Sequence, residues 1–133
     1  MSLAVIDASV LVVFYAADDR RHSLVADRLK VGDALFAPAH LDAELLSALR
    51  GMARGNRRLD QAVPNVIAHL AGFPIRRMPL PPLLERMWEL RHNITAYDAA
   101  YVALAERLDA VLMTCDARLA TAIGPRCTFD NIN

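Results

Sequence analysis

Two acidic residues follow apolar segments, at positions where carboxylates from separate parts of the chain could act together. Asp7 comes directly after Leu3–Ile6, and Asp116 comes just after Ala110–Thr114. Both segments have the uniformly apolar character of buried parallel strands. In an open α/β sheet, ligands bind outside the carboxyl ends of such strands. We therefore expect these carboxylates to face one cleft.

Further acids lie on predicted helices, at the border between the apolar face and the solvent face. Glu44 falls about 70° from the centre of the apolar stripe on a helix predicted from His40 to Arg54. Asp98 falls about 80° from the centre of the stripe on a helix predicted from Thr95 to Leu108. The stripes comprise Leu41, Leu45, Ala48, Leu49 and Met52 in the first helix, and Tyr97, Tyr101, Leu104, Ala105 and Leu108 in the second. Glu106 points away from its stripe and is expected to be an ordinary solvated charge.

Each of these acids also has a purely structural interpretation. Asp116 could N-cap a short helix, Asp7 could accept hydrogen bonds in a turn, and Glu44 could be a surface residue. Thr95 and Asp98 fit a capping box at a helix N-terminus. These alternatives stay open for each residue alone, but convergence of all the acids on one cleft by chance is a weaker explanation.

Carboxylates gathered in one cleft need a cation, because their mutual repulsion raises their pKa values and destabilises the fold. Hard divalent ions with oxygen ligands remove that repulsion, and Mg²⁺ suits a site with few carboxylates, retained waters and a substrate phosphate. Such an ion can activate water and stabilise the leaving oxygen of an in-line phosphoryl displacement. The acids therefore predict a metal-dependent phosphodiesterase.

Short apolar runs alternate with amphipathic helices along the chain, and this pattern favours a parallel sheet covered on both faces. The predicted strands are Leu3–Ile6, Ala34–Ala37, a weak segment Pro74–Leu80, Ala110–Thr114 and a short edge segment Cys127–Phe129. The predicted helices run from an N-cap at Ser9 to Ala17, then over Arg21–Lys30, His40–Arg54, Leu59–Ala71, Pro81–His92, Thr95–Leu108 and Ala117–Ile123. Pro64 is expected to kink the fourth helix or to mark its start.

Composition limits the class of protein. The chain has 133 residues, 55% of them hydrophobic, and its fifteen basic and fifteen acidic residues cancel to a formal net charge of zero. We expect residues 1–133 to form a single domain with a real core, neither a disordered chain nor a uniformly basic one. The longest apolar run, Val10–Ala17, is too short to span a bilayer, and Met1–Leu3 lacks a charged leader region. Cys115 and Cys127 lack zinc-ligand spacing and predict buried thiols, so we expect a cytoplasmic protein.

Motifs along nearly the whole chain resemble a PIN domain, and more closely the VapC-type toxins of bacterial toxin–antitoxin pairs. The motifs are Val5-Ile6-Asp7-Ala8-Ser9, Asp42-Ala43-Glu44-Leu45-Leu46, Ala96-Tyr97-Asp98-Ala99-Ala100-Tyr101-Val102-Ala103-Leu104-Ala105-Glu106 and Met113-Thr114-Cys115-Asp116-Ala117-Arg118-Leu119. The block around Asp98 is the most specific. The resemblance implies a three-layer α/β/α fold with a central parallel sheet in the order 3-2-1-4-5, and a Mg²⁺- or Mn²⁺-dependent endoribonuclease.

The resemblance also assigns roles to residues. The family's catalytic acids map onto Asp7, Glu44, Asp98 and Asp116, which we call the acidic quartet. Asp7, Asp98 and Asp116 would hold the metal directly or through water, and Glu44 would help coordinate it or position the attacking water. Ser9 and Thr114 match small hydroxyl positions that orient carboxylates. Some members carry a further acid soon after the fourth, whereas residues 117–123 contain none, so the number of metal ions stays open.

A basic segment lies outside these motifs. The arginine segment (Arg50, Arg54, Arg57 and Arg58) contributes four positive charges within nine residues that contain no acid. It is either a solvated face or a rim that follows RNA phosphates. The family resemblance implies a homodimer neutralised by a cognate antitoxin protein that lies in an apolar groove. Val63, Val66, Ile67 and Leu70 could form a wall of that groove or could be core residues.

Other functions fit less well. A phosphatase of the haloacid dehalogenase type needs a second acid where Ser9 stands, and a receiver domain needs a lysine near the last strand, whereas Lys30 is the only lysine. Phosphate-loop and dinucleotide-binding glycine motifs are absent. The histidines are expected to be structural or surface residues; they are His22, His40, His69 and His92. The alternative from a different class is a degenerate PIN domain that acts as a non-catalytic RNA- or protein-binding module.

Overall fold

A computed structural model describes residues 2–133 and contains a five-stranded sheet with helices on both faces. The strands are β1 (Leu3–Ile6), β2 (Ala34–Pro38), β3 (Ile75–Met78), β4 (Val111–Thr114) and β5 (Phe129–Asn131). The helices are α1 (Ala8–Tyr15), α2 (His22–Leu29), α3 (Leu41–Ala53), α4 (Arg57–Ala71), α5 (Leu84–Glu89), α6 (Ala96–Leu108) and α7 (Ala117–Ala120). A single 3₁₀ turn, Pro81–Leu83, precedes α5.

The sheet is parallel throughout and has the strand order β3-β2-β1-β4-β5. β1 and β4 lie side by side at its centre, with Ile6 opposite Met113. The chain leaves β1 toward one edge and leaves β4 toward the other, so a topological switch point lies outside their carboxyl ends. The predicted parallel sheet and its order are confirmed.

Three layers follow from this topology. Right-handed crossovers place α1–α4 on one face of the sheet and α5–α7 on the other. α1 packs against α2, α3 and β4, while α6 packs against β1, β2, β4 and α5. The predicted α/β/α architecture is therefore confirmed, and the strand pair β1 and β4 is buried because helices cover both of its faces.

α6 is more buried than an amphipathic helix. Every residue from Ala99 to Ala105 is buried, since the sheet covers one side and α5 the other. Four of these seven residues are alanines, which allow such close packing on all sides. Two predicted stripe positions are wrong: Tyr97 is 65% exposed and Met52 is 38% exposed, because both lie where the neighbouring layers end.

Two predicted helix starts differ from the structure. Asp7, not Ser9, is the N-cap of α1, and its side chain accepts a hydrogen bond from Val10 N. Pro64 neither starts nor ends α4 but lies inside it, on the exposed side. The cost of the missing N–H is offset by the packing of the buried face of the helix, which includes Val66.

The structure decides two expectations about the surface. Glu106 is not a free charge: its side chain is 16% exposed, accepts from Arg86 at 2.8 and 3.1 Å, and accepts from Arg126 N. Val66 and Leu70 are core residues, which confirms the core alternative for these two. Ile67 is exposed and Val63 is half-buried.

The two cysteines, Cys115 and Cys127, are free thiols and half-buried against the core. Burial raises the pKa of each thiol to about 11. Over the part of the chain that the structure describes, no helix combines the length and apolarity needed to cross a membrane.

Candidate functional site

The acidic quartet lies where four helices begin. Asp7 is the N-cap of α1 and Asp116 is the N-cap of α7, each directly beyond a central strand. Glu44 lies in the first turn of α3, just after β2, and Asp98 in the first turn of α6. Because α6 returns toward the start of β4, its N-terminus lies at the carboxyl edge of the sheet. The sequence-predicted convergence thus follows from the topology, and the positive ends of the helix dipoles favour carboxylates there.

Asp7 is fixed by two hydroxyls. Ser9 Oγ donates to Asp7 Oδ1 at 2.5 Å, and Thr114 Oγ1 donates to Asp7 Oδ2 at 2.6 Å. Each hydroxyl also accepts from a backbone N–H, Ser9 from Cys115 N and Thr114 from Asp116 N, both at 2.9 Å. These backbone donors direct the hydroxyl protons toward the carboxylate. The chain after β4 therefore orients Asp7 through two side chains.

The environment of Asp7 opposes its ionisation. The residue is only 4% exposed, and burial raises the pKa of its carboxyl to about 6. Hydrogen bonds from Ser9, Thr114 and Val10 lower the pKa, and the charge of Asp98 raises it. Desolvation outweighs the hydrogen bonds, so a nearby cation would be needed to stabilise the carboxylate fully.

Glu44 is held by a buried phenol. Tyr101 Oη donates to Glu44 Oε1 at 2.6 Å, and Tyr101 itself has no exposed surface. Burial, followed by the bond to Glu44, raises the pKa of Tyr101 far above its usual range, so the phenol stays a donor. The imidazole of His40 lies beside the same carboxylate, with Nε2 3.7 Å from Oε1. Glu44 is thus positioned by side chains from both α3 and α6.

Asp98 and Asp116 complete the quartet. Asp98 is half-buried, and burial raises the pKa of its carboxyl, with further increases from the charges of Glu44 and Asp116. Thr95 Oγ1 accepts from Asp98 N, as the capping interpretation predicts. Asp116 Oδ1 accepts from Arg118 N, so Asp116 does cap α7. Capping occupies one of its two carboxylate oxygens and is compatible with a further role.

No lysine or arginine forms a salt bridge with any member of the quartet within residues 2–133. Nor do three or more His, Cys, Asp or Glu side chains of this described part stand close enough together to enclose a metal ion. The donor set is nevertheless one that fits a hard cation. Mg²⁺ commonly binds through one or two carboxylates while keeping several waters, so carboxylate oxygens at one edge suffice.

Tyr101 and His40 both contact Glu44, a role that the sequence analysis assigns to neither. Tyr101 is predicted in the core stripe and is indeed buried, and His40 is predicted to be a structural or surface residue. One signal could have found Tyr101: it lies three residues after Asp98 on the same helix, and a buried tyrosine hydroxyl usually has a hydrogen-bond partner. No comparable sequence signal points to His40.

The arginine segment lies at the junction of α3 and α4, away from the sheet edge, and its members are exposed. Arg50 and Arg54 line one cavity with Asp60, and Arg58 lines another beside Asp18. Along α3, Arg50 and Arg54 lie about 9 and 15 Å beyond Glu44. The segment is therefore near the quartet without being part of it.

The remaining histidines lie in unrelated places. His22 Nδ1 is 3.4 Å from Val13 O, His69 Nδ1 contacts Tyr15 Oη at 2.7 Å, and His92 is exposed.

Known proteins with similar sequences cover most of the chain. The PIN domain family model matches residues 4–123. Ribonuclease VapC12 of Mycobacterium tuberculosis is 38% identical over 122 residues, which are 92% of this chain and 93% of that protein. Ribonuclease VapC3 of the same species is 42% identical over 118 residues, covering 89% of this chain and 85% of that protein.

A solved structure shares the fold. VapC20 of Mycobacterium tuberculosis, a sarcin–ricin loop cleaving toxin, superimposes with a TM-score of 0.68 at 19% identity. The match covers 87% of this chain and 92% of that chain. At this level of identity the likeness supports the fold alone.

Proposed function

The chain belongs to the PIN domain family, and with that membership as the premise we propose that it is an endoribonuclease toxin of the VapC type. Its reaction is the hydrolysis of RNA phosphodiester bonds. The observation that carries the proposal is the acidic quartet: four carboxylates at the switch point of the sheet, where the charges of Glu44 and Asp116 raise the pKa of Asp98. Relatives named as ribonucleases support the same activity.

We further propose that the site works with Mg²⁺ or Mn²⁺. Asp7, Asp98 and Asp116 would hold the ion directly or through water, and Glu44 would help coordinate it or position the attacking water. When bound, the ion supplies a Lewis acid that lowers the pKa of water and neutralises charge on the scissile phosphate. The support is the chemistry of the donor set, which is carboxylate oxygen without a paired lysine or arginine.

The side chains around the acidic quartet hold its carboxylates in fixed orientations. Ser9 and Thr114 fix both oxygens of Asp7, so its direction is set before substrate arrives. Tyr101 holds Glu44 by a 2.6 Å hydrogen bond, and its high pKa keeps the proton on the phenol. Preorganised groups of this kind avoid reorganisation during the reaction. The arginine segment is proposed to contact phosphates on one side of the cut.

Membership in the VapC group also supports a cognate antitoxin and a homodimer as partners, with action on RNA in the cytoplasm. Exposed large apolar side chains offer surface for such contacts, among them Leu24 at 52% exposure and Val31 at 68%. Expression of the chain should arrest bacterial growth, and co-expression of its antitoxin should relieve the arrest. Sedimentation of the purified chain gives the oligomeric state.

The direct test is RNA cleavage by purified protein. We expect a randomised single-stranded RNA pool to be cut with Mg²⁺ or Mn²⁺, to stay intact with EDTA, and to be cut again when excess metal is restored. Cleavage that persists in EDTA would reject the metal assignment. RNA that is bound but never cut would instead indicate the non-catalytic binding module.

A further inference from the structure

We propose that a cavity between α3 and the first turn of α6 binds one nucleobase of the RNA, next to the cleaved phosphate, by stacking it on Tyr97. The inference rests on the proposed ribonuclease function and adds a subsite to it. We call this space the α3–α6 cavity. It is lined by His40, Ala43, Glu44, Ser47, Ala48 and Tyr97.

The α3–α6 cavity has the size and lining of a small-molecule site. Its volume is about 550 Å³, within the range of about 300–1,000 Å³ typical of ligand pockets. Ala43 and Ala48 give it a small apolar wall, while Ser47 and Glu44 add polar groups. A planar aromatic ligand with polar edges matches such a lining.

Tyr97 supplies an aromatic surface that the fold itself does not use. Its side chain is 65% exposed, although a tyrosine on the apolar stripe of α6 would be expected in the core. Its ring lies 5.9 Å from the His40 ring, which in turn lies 5.0 Å from the ring of buried Tyr101. The Tyr97 ring therefore offers an exposed flat face with another aromatic ring behind it. Exposed aromatic rings of this kind stack unpaired RNA bases without needing a specific sequence.

His40 gives a second, independent observation. Its side chain is 14% exposed, and neither ring nitrogen has a hydrogen-bond partner within the described residues. Among these residues, Nδ1 has no polar partner, and Nε2 has only the Glu44 carboxylate, 3.7 Å from it. Buried polar atoms in proteins are nearly always paired, so this wall lacks a polar partner. A nucleobase edge carries both donors and acceptors, which are the groups that this wall lacks.

The position of the α3–α6 cavity favours RNA over a protein side chain. Glu44 belongs both to the cavity and to the acidic quartet, and Tyr97 directly precedes Asp98. A phosphate at the quartet therefore brings its own flanking base to the cavity. The side of the cavity away from the acidic quartet leads to two arginines. Arg50 lies three residues after Ser47, and Arg54 lies four residues after Arg50, so both arginines follow Ser47 along one face of the helix and could contact the next RNA phosphates.

The test measures binding rather than turnover. The probe is a fluorescein-labelled RNA decamer that contains the bond cut most often in a randomised pool, made uncleavable by a bridging methylene. Two further decamers carry an abasic nucleotide on either side of that bond. In Mg²⁺, we expect the wild-type chain to bind one abasic decamer about tenfold more weakly than the intact one, because that decamer lacks the base that stacks on Tyr97.

Tyr97→Ala should bind the intact decamer about tenfold more weakly and should lose the discrimination against the abasic one, whereas Tyr97→Phe should keep it. Ala43→Leu, which fills the cavity from an exposed position, should act like Tyr97→Ala. Trp88→Ala is the matched control, because this exposed ring lies on α5 and is already covered by the Arg91 guanidinium at 4.4 Å. It should bind as the wild type does.

Two outcomes overturn the inference while leaving the proposed function intact. One is cleavage of the pool with no abasic discrimination by the wild type; the other is discrimination that survives in both Tyr97→Ala and Ala43→Leu. If those variants leave RNA discrimination unchanged but weaken binding of a protein partner, the α3–α6 cavity belongs to that partner. A wild-type chain that cuts no RNA with either metal rejects the proposed function, and the inference with it.

Discussion

Each carboxylate of the acidic quartet has its own supporting groups, so single substitutions can separate support from chemistry. Asp7 has two hydroxyl donors and Glu44 has one phenol donor, and a hydrogen bond with the Thr95 side chain lowers the pKa of Asp98. The free energy of ionising each carboxylate therefore depends on different neighbouring groups.

Tyr101→Phe should lower RNA cleavage and Mg²⁺ affinity together, by about tenfold, because groups that orient metal ligands typically contribute that much. It removes only the hydroxyl that donates to Glu44 at 2.6 Å. Tyr15→Phe is the matched control, since it removes a tyrosine hydroxyl bonded to His69 at the surface. A fall in cleavage without any change in Mg²⁺ affinity would contradict the positioning role.

Thr114→Val should destabilise the fold by about 1–3 kcal/mol, because it leaves a buried carboxylate oxygen and the Asp116 N–H without partners. Urea unfolding measures the effect. Thr121→Val is the control: its hydroxyl is exposed and bonds only backbone carbonyls of α7, so a change within about 0.5 kcal/mol is expected. Equal stabilities for both variants would show that the hydroxyl does not support Asp7.

The sequence predicted which acids converge but not what holds them. Asp7 and Asp116 follow strand ends, and this position is visible in the order of residues. The bond from Tyr101 to Glu44 joins α6 to α3, and it depends on how two helices from opposite faces of the sheet approach its edge. The distance between these two helices is set by tertiary packing, which no local sequence pattern predicts.

At the scale of elements, the hydrophobic runs predicted all the strands, with boundaries within about two residues for most of them. The long helices α3 and α6 were predicted within a residue at each end. Thr95 caps the start of α6, and Gly55 follows the end of α3, whose start has no side-chain cap. The weak segment before α5 contained a shorter strand, Ile75–Met78, because its prolines restrict pairing to the stretch between them. Burial of α6 on both sides depended on α5 and could not be predicted from its own periodicity.

The junction of α3 and α4 provides a prediction at this scale. Replacing Arg54 and Arg57 by Gln should weaken single-stranded RNA binding and reduce its salt dependence by about 1.4 in slope, about 0.7 for each lost phosphate contact. Arg107→Gln is the control, an exposed arginine at the other end of α6 from Asp98. An unchanged salt slope would mean that the arginine segment is only a solvated face.

At the scale of the whole molecule, the zero net charge conceals an acidic sheet edge and a basic helical junction. Neither region is evident from the total charge of the chain. The acidic edge also couples the stability of the fold to pH and to metal. Since the pKa of Asp7 is raised to about 6, the folded state holds this proton more tightly than the unfolded state does.

Stability without metal should therefore fall as pH rises from about 4 to about 6, by about 3 kcal/mol from Asp7 alone. The raised pKa of Asp98 acts in the same direction. Mg²⁺ should raise the Tm clearly at about pH 7.5, where the carboxylates are ionised, and much less at about pH 5, where protons compete for them. An equal rise at both pH values would contradict metal binding at the quartet.

The most direct test of the account is the rate of RNA cleavage in Mg²⁺ by three proteins: wild type, Asp98→Asn and Asp27→Asn. Asp98 lies in the quartet, whereas Asp27 is an exposed acid on α2, so the two variants lose the same charge in different places. The account predicts that Asp98→Asn lowers the cleavage rate about 100-fold or more, and that Asp27→Asn leaves the rate unchanged. A loss of this size is typical when one group that stabilises transition-state charge is removed. Cleavage by Asp98→Asn at the wild-type rate would contradict the account.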